Sequence, residues 1–404
     1  MPPPPCNAAP LRVAVVTETY PPEVNGVANT MRHLAEGLAV RGHRVDLVRP
    51  RQPCDRERRG ADPAGPIRET RVPGLPIPGY RGLRFGLPVW RRLRRLWSET
   101  RPDAVYIATE GPLGHAALAA ARGLGLPTLT GFHTQFHQYS RHYGLGPLMR
   151  PIAAALRRFH NRSDATLVPT SGLQAELTAA GFANVRVFGR GVDTDLFAPA
   201  RRDPALRAAW GCGPGELAVL YVGRIAAEKN LDLALAAFAA IAARHPGARF
   251  VLVGDGPALA GLRRERPGYV CTGVRVGAEL AAHYASGDLF LFPSLTETFG
   301  NVVSEAMASG LPVVAFDYAA AHAHLEPWVN GVLVPLGDRA AFVAAALAAA
   351  DDPVRRRRLG EAARRTALGL GWERVVATFE TTLREVIDQR RPAAAPGAAT
   401  APLV

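Results

Sequence analysis

One loop in the second half of the chain carries an arginine and the only lysine among 48 basic residues. Arg224 and Lys229 follow the apolar run Leu217–Val222, where a strand is expected to pass into a helix. A guanidinium is a flat fork and an ammonium a compact point charge, so the pair suits a diphosphate group. The alternative is an ordinary surface ion pair between Glu228 and an arginine. Asn230 is predicted to cap the helix that follows.

A second loop carries two glutamates, Glu297 and Glu305, on either side of a predicted helix start. That helix is expected to begin near Phe299 and to end at Gly310. The carboxylates are too far apart to share one proton, but they suit hydroxyl groups at two ends of a long polar ligand. As an isolated pair, they could also be solvated helix charges. The amides at the helix start are candidate donors to phosphate or sugar oxygens: Phe299, Gly300, Asn301 and Val302.

The first strand-to-helix loop, residues 17–26, is longer than a plain connection requires. Gly26 would let the backbone approach a ligand closely, and the free amides of a helix start favour an anion. Tyr20 and Asn25 of this loop are candidates for binding an acceptor. The alternative is an ordinary turn.

A further loop, residues 131–139, is rich in polar and aromatic side chains. His133 is a candidate for contact with a sugar hydroxyl or a reacting centre, although a single histidine is more often structural. His137 and Tyr139 are acceptor-side candidates. His133 and His137 have the spacing of helical metal ligands, but no acidic ligand accompanies them.

Two short patterns imitate cofactor sites. Asp193-Thr194-Asp195 has the form of a metal-binding Asp-x-Asp sequence, but it lies in a predicted linker and is interpreted as a turn. Gly254-Asp255-Gly256 matches part of a dinucleotide fingerprint, with Leu259 in the place of the third glycine. We therefore expect neither a metal ion nor a cofactor, and an NAD-dependent oxidoreductase is disfavoured.

The composition restricts the class of protein. The net charge of +13 indicates anionic partners, which are nucleotides, nucleic acid or acidic lipid. The arginines are dispersed, so nucleic acid is not expected. The four cysteines are scattered, which is typical of a reducing compartment. No signal peptide pattern or run of about 20 apolar residues is present, so we expect a cytoplasmic protein.

Short apolar runs alternate with helical patterns, which predicts parallel sheets covered on both faces. The predicted strands are 11–16, 44–48, 104–108, 127–131, 165–169 and 185–188, then 217–222, 249–254, 269–273, 288–293 and 312–316. The predicted organisation is a disordered start (1–10), two α/β domains (11–195 and 196–370), a helix that packs back onto the first domain (371–388) and a disordered tail (389–404).

Jointly, these patterns resemble family 4 of the nucleotide-sugar glycosyltransferases, which have the GT-B fold of two doubly wound Rossmann-like domains facing each other across a cleft. The resemblance runs from about residue 12 to residue 335 and is highly specific. Its residues are Asn25-Gly26, His133-Thr134, Gly191-Val192-Asp193, Gly223-Arg224, Glu228-Lys229-Asn230, Val253–Pro257 and Glu297-x7-Glu305. The His133 loop and Phe316-Asp317-Tyr318 are most similar to the bacterial glycolipid mannosyltransferase and sulfoquinovosyltransferase branch.

The resemblance implies retaining transfer of a sugar from a nucleoside diphosphate sugar without a metal ion. By resemblance to that branch, GDP-mannose is the preferred donor and UDP-sugars come next. It implies that Arg224 and Lys229 hold the diphosphate and that Glu305 holds the ribose. The acceptor would be a lipid or a glycan. The rival interpretations are a GT-B epimerase or phosphorylase and, more distantly, a nucleic-acid-binding or membrane-binding module without catalysis.

The same resemblance places the donor sugar against Glu297, the amides of residues 299–302 and His133. Gly26 would let the first domain close over the phosphate. The remaining donor-side candidates are Gly254 and the base-pocket residues Arg275 and Val276. Many members carry Gly-Gly-x-Pro-Glu after the next strand, whereas this chain has residues 317–324 (DYAAAHAH), which puts that contact in doubt.

One segment, Arg81–Trp97, combines an apolar helical face with four arginines on the opposite face. Such a helix can dock on anionic lipid, which would place the protein on the inner face of the cell membrane. The alternative is a domain helix that packs inward and exposes a solvated basic face.

Overall fold

The structure of this protein is a computed structural model, which describes residues 9–23, 25–56, 65–77, 84–133 and 149–390. Most of the two predicted disordered ends lies outside these ranges, as do His137 and Tyr139. Every strand predicted from an apolar run forms, with ends shifted by a residue or two.

Within the described ranges, the first sheet has seven parallel strands in the order β3-β2-β1-β6-β7-β8-β9. Its strands are β1 Arg12–Val16, β2 Arg44–Pro50, β3 Ile67–Val72, β6 Ala104–Ile107, β7 Thr128–Gly131, β8 Ala165–Val168 and β9 Val185–Val187. A small antiparallel pair, β4 Gly74–Pro76 and β5 Arg84–Gly86, lies beside it. The direction in which successive strands are added to the sheet reverses between β1 and β6. A crevice is therefore expected at the carboxyl ends of these two strands.

Counted over the residues that the structure describes, five α-helices accompany this sheet: α1 Gly26–Val40, α2 Trp90–Thr100, α3 Pro112–Gly123, α4 Met149–His160 and α5 Ser171–Ala179. The α1 helix forms because Met31, Leu34 and Leu38 recur at helical spacing and are fully buried. Apolar clusters pack on both faces of the sheet, which explains why its strands read as continuous apolar runs.

The second sheet has six parallel strands in the order β12-β11-β10-β13-β14-β15, counted in the described ranges. Its strands are β10 Ala218–Val222, β11 Arg249–Val253, β12 Val270–Gly273, β13 Leu289–Phe292, β14 Val313–Phe316 and β15 Val332–Val334. The order reverses between β10 and β13. The loops that follow these two strands therefore flank the second crevice.

The second half also forms nine helices in the described ranges: α6 Pro204–Ala209, α7 Leu231–Arg244, α8 Leu259–Glu265, α9 Gly277–Ser286, α10 Asn301–Ala308, α11 Ala319–His324, α12 Arg339–Asp351, α13 Pro353–Leu368 and α14 Trp372–Arg390. Apolar clusters again cover both faces of the sheet. The two Rossmann-like domains predicted by the resemblance are thus present.

The chain passes between the two sheets twice, and the two crossings touch. The Val192 amide donates to the Leu370 carbonyl at 3.0 Å, and Val192 forms a parallel bridge with Gly371. The α14 helix then packs against α1 and the first sheet through Val376, Phe379 and Leu383. The domain limits at residues 195 and 370 stay a prediction.

Candidate functional site

The loops after β10 and β13 meet at the crevice of the second sheet. The Lys229 Nζ atom lies 2.5 Å from Glu297 Oε1 and 3.4 Å from the Thr296 carbonyl oxygen. Both charged side chains are largely buried, with exposed fractions of 15% and 14%. Two residues 68 positions apart are therefore brought into one cluster at the edge where α/β proteins bind ligands.

Arg224 belongs to the same loop as Lys229 and makes the ion pair that the sequence offered as an alternative. Its NH1 group donates to Glu228 Oε1 at 2.9 Å. Asn230 occupies the predicted N-cap position of α7, but its side chain makes no capping hydrogen bond to a helix amide. Its amide instead donates to the Pro293 carbonyl and accepts from Arg339, which ties the β10 loop to the end of β13.

The helix that carries Glu305 begins at Asn301, two residues later than predicted. Phe299 is buried, and its carbonyl accepts a hydrogen bond from the Ala320 amide, so this residue is bound into the core before the helix starts. Gly300 has φ +92 at the N-cap and provides no capping side chain. The first amides of α10, at Asn301 and Val302, therefore keep the donor capacity of a helix N-terminus.

Glu305 is partly buried and is held by Tyr284. The Tyr284 hydroxyl donates to Glu305 Oε2 at 2.9 Å. Burial raises the pKa of Glu305 to about 7, although the tyrosine hydrogen bond opposes the rise. A carboxyl group in this setting gains from ligand hydroxyls that donate to it, because such bonds stabilise its charged form.

Gly26 of the first domain lies opposite the start of α10. A Cβ atom added to Gly26 would stand 3.2 Å from Asn301 Nδ2. The start of α1 thus faces the start of α10 across the cleft, and two positive helix ends converge on one space. Asn25 Oδ1 accepts from the Ala28 amide and its Nδ2 group donates to Thr19, so the Asn25 side chain is engaged inside its own domain.

Tyr20 also belongs to this loop and is partly buried against the cluster that covers the first sheet. Burial raises the pKa of Tyr20 to about 12. Its phenol is therefore neutral at physiological pH, which fits hydrogen bonding rather than proton transfer.

His133 is buried at the end of β7, with an exposed fraction of 6%. Its Nε2 atom lies 2.8 Å from the Tyr106 hydroxyl, and its Nδ1 atom contacts the Arg190 guanidinium. Burial, followed by the charges of Arg190 and His160, holds the pKa of His133 well below its usual range. The ring is neutral and both of its nitrogens have protein partners.

Gly254 forms a close backbone approach. Its φ is +140, and an added Cβ atom would lie 1.9 Å from the Gly223 carbonyl oxygen. Only glycine permits this contact, so Gly254 sets the path of the β10 loop. Arg275 makes a weak ion pair with Glu279 at 3.5 Å, and Val276 is 52% exposed at the start of α9, on the same edge of the sheet.

The Asp193-Thr194-Asp195 segment forms a turn, since the Asp193 carboxylate accepts from the amides of Asp195 and Leu196. Among the residues that the structure describes, no group of three or more His, Cys, Asp or Glu side chains could hold a metal ion.

The segment that departs from Gly-Gly-x-Pro-Glu packs against the start of the Glu305 helix. His322 pairs with Asp317 at 2.7 Å on the surface, and the His324 ring meets Phe299 edge-on at 5.8 Å between centroids. This segment therefore supports Phe299 from the side of α11.

The arginine-rich α2 helix packs inward through Leu93 and Trp97, which are fully buried. Its four arginines, Arg91, Arg92, Arg94 and Arg95, are exposed. Trp90 at its start is 42% exposed, and Arg94 lies over its ring. No helix in the described part of the chain is long and apolar enough to cross a membrane.

Sequence reasoning missed the residues that hold the candidate groups in place. Tyr284 lies 21 positions before Glu305, and Arg190 lies 57 positions after His133. No periodicity connects such pairs.

Comparison with known proteins places this geometry in a family. The description "Glycosyltransferase Family 4" matches residues 24–196, and "Glycosyl transferases group 1" matches residues 216–352. A GDP-mannose-dependent alpha-mannosyltransferase of Mycobacterium tuberculosis is 38% identical over 90% of this chain and 93% of its own. A sulfoquinovosyl transferase of Arabidopsis thaliana is 33% identical over 76% of this chain and 59% of its own.

Two further proteins extend the comparison. An alpha-monoglucosyldiacylglycerol synthase of Streptococcus pneumoniae is 27% identical over 80% of this chain and 73% of its own. The solved structure of a sucrose-phosphate synthase from Thermosynechococcus elongatus superposes with a TM-score of 0.77 at 21% identity, covering 94% of this chain and all of that one. The chain is therefore a hexosyl-transferring enzyme that belongs to the family 4 glycosyltransferases and has the GT-B fold.

Proposed function

We propose that this enzyme transfers mannose from GDP-mannose to a lipid or glycan acceptor with retention of anomeric configuration. The observation that carries the proposal is the Lys229–Glu297 contact at the β10/β13 crevice. It lies in the loop that leads into α10, whose first residue, Asn301, lies opposite Gly26 of the first domain. The choice of donor is supported by the name of the 38% identical relative, and a lipid acceptor by the name of the diacylglycerol enzyme.

The donor diphosphate binds Arg224, Lys229 and the first amides of α10 in this proposal. Both cations are already in contact with glutamates, Glu228 and Glu297. A diphosphate would therefore replace Glu297 as the main partner of Lys229. The Glu297 carboxylate would then be available to accept hydrogen bonds from the hydroxyl groups of the sugar. Glu305 would accept hydrogen bonds from the hydroxyl groups of the ribose.

Transfer follows from the charges at this site. The bond between the sugar C1 atom and the phosphate oxygen breaks, and the acceptor oxygen bonds to C1 on the same face through an oxocarbenium-like state. The acceptor proton passes to the leaving phosphate oxygen. Arg224, Lys229 and the α10 N-terminus stabilise the negative charge that develops there, so this proposal needs neither a metal ion nor a cofactor.

We also propose that the exposed arginines of α2 hold the enzyme at an anionic membrane surface. Each basic side chain near such a surface contributes about 1 kcal/mol, and Trp90 supplies an amphipathic ring next to them. Flotation with liposomes of anionic and of zwitterionic lipid tests this. The triple variant Arg91→Gln/Arg94→Gln/Arg95→Gln should stop floating with anionic liposomes, and unchanged flotation would refute the surface.

The donor and acceptor are tested together with a panel of nucleotide sugars and a lipid extract. GDP-mannose should give nucleotide release that depends on the extract, and NMR of the product should show the same anomeric configuration as the donor. Release from a UDP-sugar alone would correct the donor. Conversion of a nucleotide sugar without any acceptor would indicate an epimerase instead.

A further inference from the structure

Arg190 is a buried cation that the proposed reaction does not use. It follows β9 and has an exposed fraction of only 6%. Its NH1 group donates to the carbonyls of Phe188 and Gly189 at 3.2 and 3.3 Å, and its NH2 group contacts His133 Nδ1. Among the residues that the structure describes, no carboxylate forms an ion pair with it. A buried charge without a counter-ion is costly, and the side chain that this guanidinium contacts is His133.

The His133 ring lies in a space that the neighbouring residues leave open for it. A Cβ atom on Gly131 would lie 2.5 Å from the Tyr106 hydroxyl and would also collide with His133 Nε2. Gly131 thereby permits the contact between Tyr106 and His133, which are 0% and 6% exposed. The ring is enclosed, and its hydrogen bonds are decided by the protein rather than by solvent.

The hydrogen-bond donors and acceptors around His133 determine which ring nitrogen carries the proton. A guanidinium has only donors, so His133 Nδ1 must accept from Arg190. A neutral imidazole carries one N–H group, which must then be on Nε2 and directed at the Tyr106 oxygen. An imidazolium would place a proton on Nδ1 as well, opposite an arginine that has no lone pair to receive it.

We propose that Arg190 is a positioning residue that fixes the neutral Nε2–H tautomer of His133 and excludes its imidazolium. The consequence rests on the proposed function: His133 then neither takes nor gives a proton during transfer, which leaves the leaving phosphate oxygen as the base for the acceptor hydroxyl. Arg190 acts through His133 and is not itself a catalytic residue.

The charged and titratable groups around the ring agree with this assignment. Tyr106 faces it from β6, Arg190 from the segment after β9 and His160 from α4. Burial lowers the pKa of His160 to about 3, so that ring is neutral as well. Glu110, at the end of β6, acts on Tyr106 and is not in contact with the ring. None of these groups offers an anion directly to His133.

NMR of the full chain labelled with 15N-histidine tests the tautomer without any assay of activity. Loss of one ring signal in His133→Gln assigns the residue among the 11 histidines. In the wild type we expect the Nε2–H form alone, with no titration between pH 5 and 8. An Nδ1–H form, or an imidazolium in that range, would overturn the proposal.

Two matched variants separate the role of Arg190 from that of Tyr106. In Arg190→Met the Nδ1 atom loses its donor, so an Nδ1–H population should appear. In Tyr106→Phe the contact with Arg190 persists, and the Nε2–H form should remain. The reverse pattern would assign the tautomer to Tyr106, and an unchanged tautomer in Arg190→Met would exclude the role of Arg190. Should Arg190→Met fail to fold, the spectra of the wild type and of Tyr106→Phe still show whether His133 is the Nε2–H tautomer and whether this form persists without the Tyr106 hydroxyl.

The kinetic readout uses the donor that supports wild-type turnover. Arg190→Met should lower kcat by about 10-fold to 100-fold, the range found for outer partners that orient a functional imidazole at metal sites, with little change in KM for the donor. Arg190→Lys, which keeps a cation and N–H donors, should recover part of the loss. An unchanged kcat despite an altered tautomer would refute the role in transfer. A wild-type enzyme without sugar transfer would instead contradict the proposed function.

Discussion

Removal of the Lys229 ammonium is the most direct test of the phosphate site. The Nζ atom is 2.5 Å from Glu297 Oε1, and Lys229→Ala leaves that carboxylate without this partner. Breaking a fully buried ion pair costs about 3 to 5 kcal/mol, whereas an exposed pair contributes about 0 to 1 kcal/mol. With exposed fractions near 15% at a cleft edge, we expect a stability loss of about 2 kcal/mol, which a protein of ordinary stability survives.

The effect on the rate should be larger than the effect on the fold. A preorganised charge or donor that stabilises a developing anion contributes about 3 to 4 kcal/mol, so kcat should fall about 10²-fold to 10³-fold. The assay is nucleotide release under saturating donor and acceptor, accompanied by urea unfolding. The matched control is Arg244→Ala, which removes a cation from an ion pair with Asp351 on the opposite side of the domain and should leave kcat unchanged.

Two results would refute this reasoning. Wild-type kcat in folded Lys229→Ala would remove the charge from the mechanism. An equal loss of kcat in Arg244→Ala would show that the rate responds to domain charge or stability rather than to this site.

Three further predictions concern the cleft. Gly26→Ala should stay folded yet lose about 10-fold or more in kcat/KM for the donor, because the added Cβ stands 3.2 Å from Asn301 Nδ2, where the diphosphate must approach. The control is Gly123→Ala, whose added Cβ meets nothing within 4 Å. Equal kcat/KM values for the two variants would contradict the assignment. Burial raises the pKa of Glu305 to about 7 in the folded protein, so the folded state binds this proton more tightly than the unfolded state does. The free energy of unfolding should therefore fall by about 3 kcal/mol as pH rises from about 4.5 to about 7. Glu305→Gln should remove that part of the slope in urea unfolding at pH 5 and pH 8, and identical slopes would exclude it. Treatment with EDTA should leave kcat unchanged, since Arg224, Lys229 and α10 supply the positive charge; a strict need for a divalent cation would reverse this expectation.

The apolar runs were enough to predict most of the strands, because a strand buried on both faces needs no partner to be recognised. The run Ala218–Val222 is buried at every position, and local composition alone shows it. Four short strands in the described part of the chain were not predicted, β3, β4, β5 and β15. One of them, Ile67–Val72, reads IRETRV and is buried only at its last residue. An edge strand of this kind forms through its pairing with β2, and pairing has no local signal.

For the candidate site, too, some residues could be predicted from the sequence and others could not. Arg224, Lys229, Glu297 and Glu305 could be named from the sequence, since their positions after strands and at helix starts follow from the parallel α/β order. Their partners could not: Glu305 meets Tyr284, His133 meets Arg190, and Gly26 meets Asn301 of the other domain. Local sequence thus determined which loops carry the chemistry, because strand and helix patterns are short-range. Only the tertiary structure decided the protonation states of Glu305 and His133 and the partners that these side chains contact. The reason is that burial and neighbouring charge arise only when distant segments pack together.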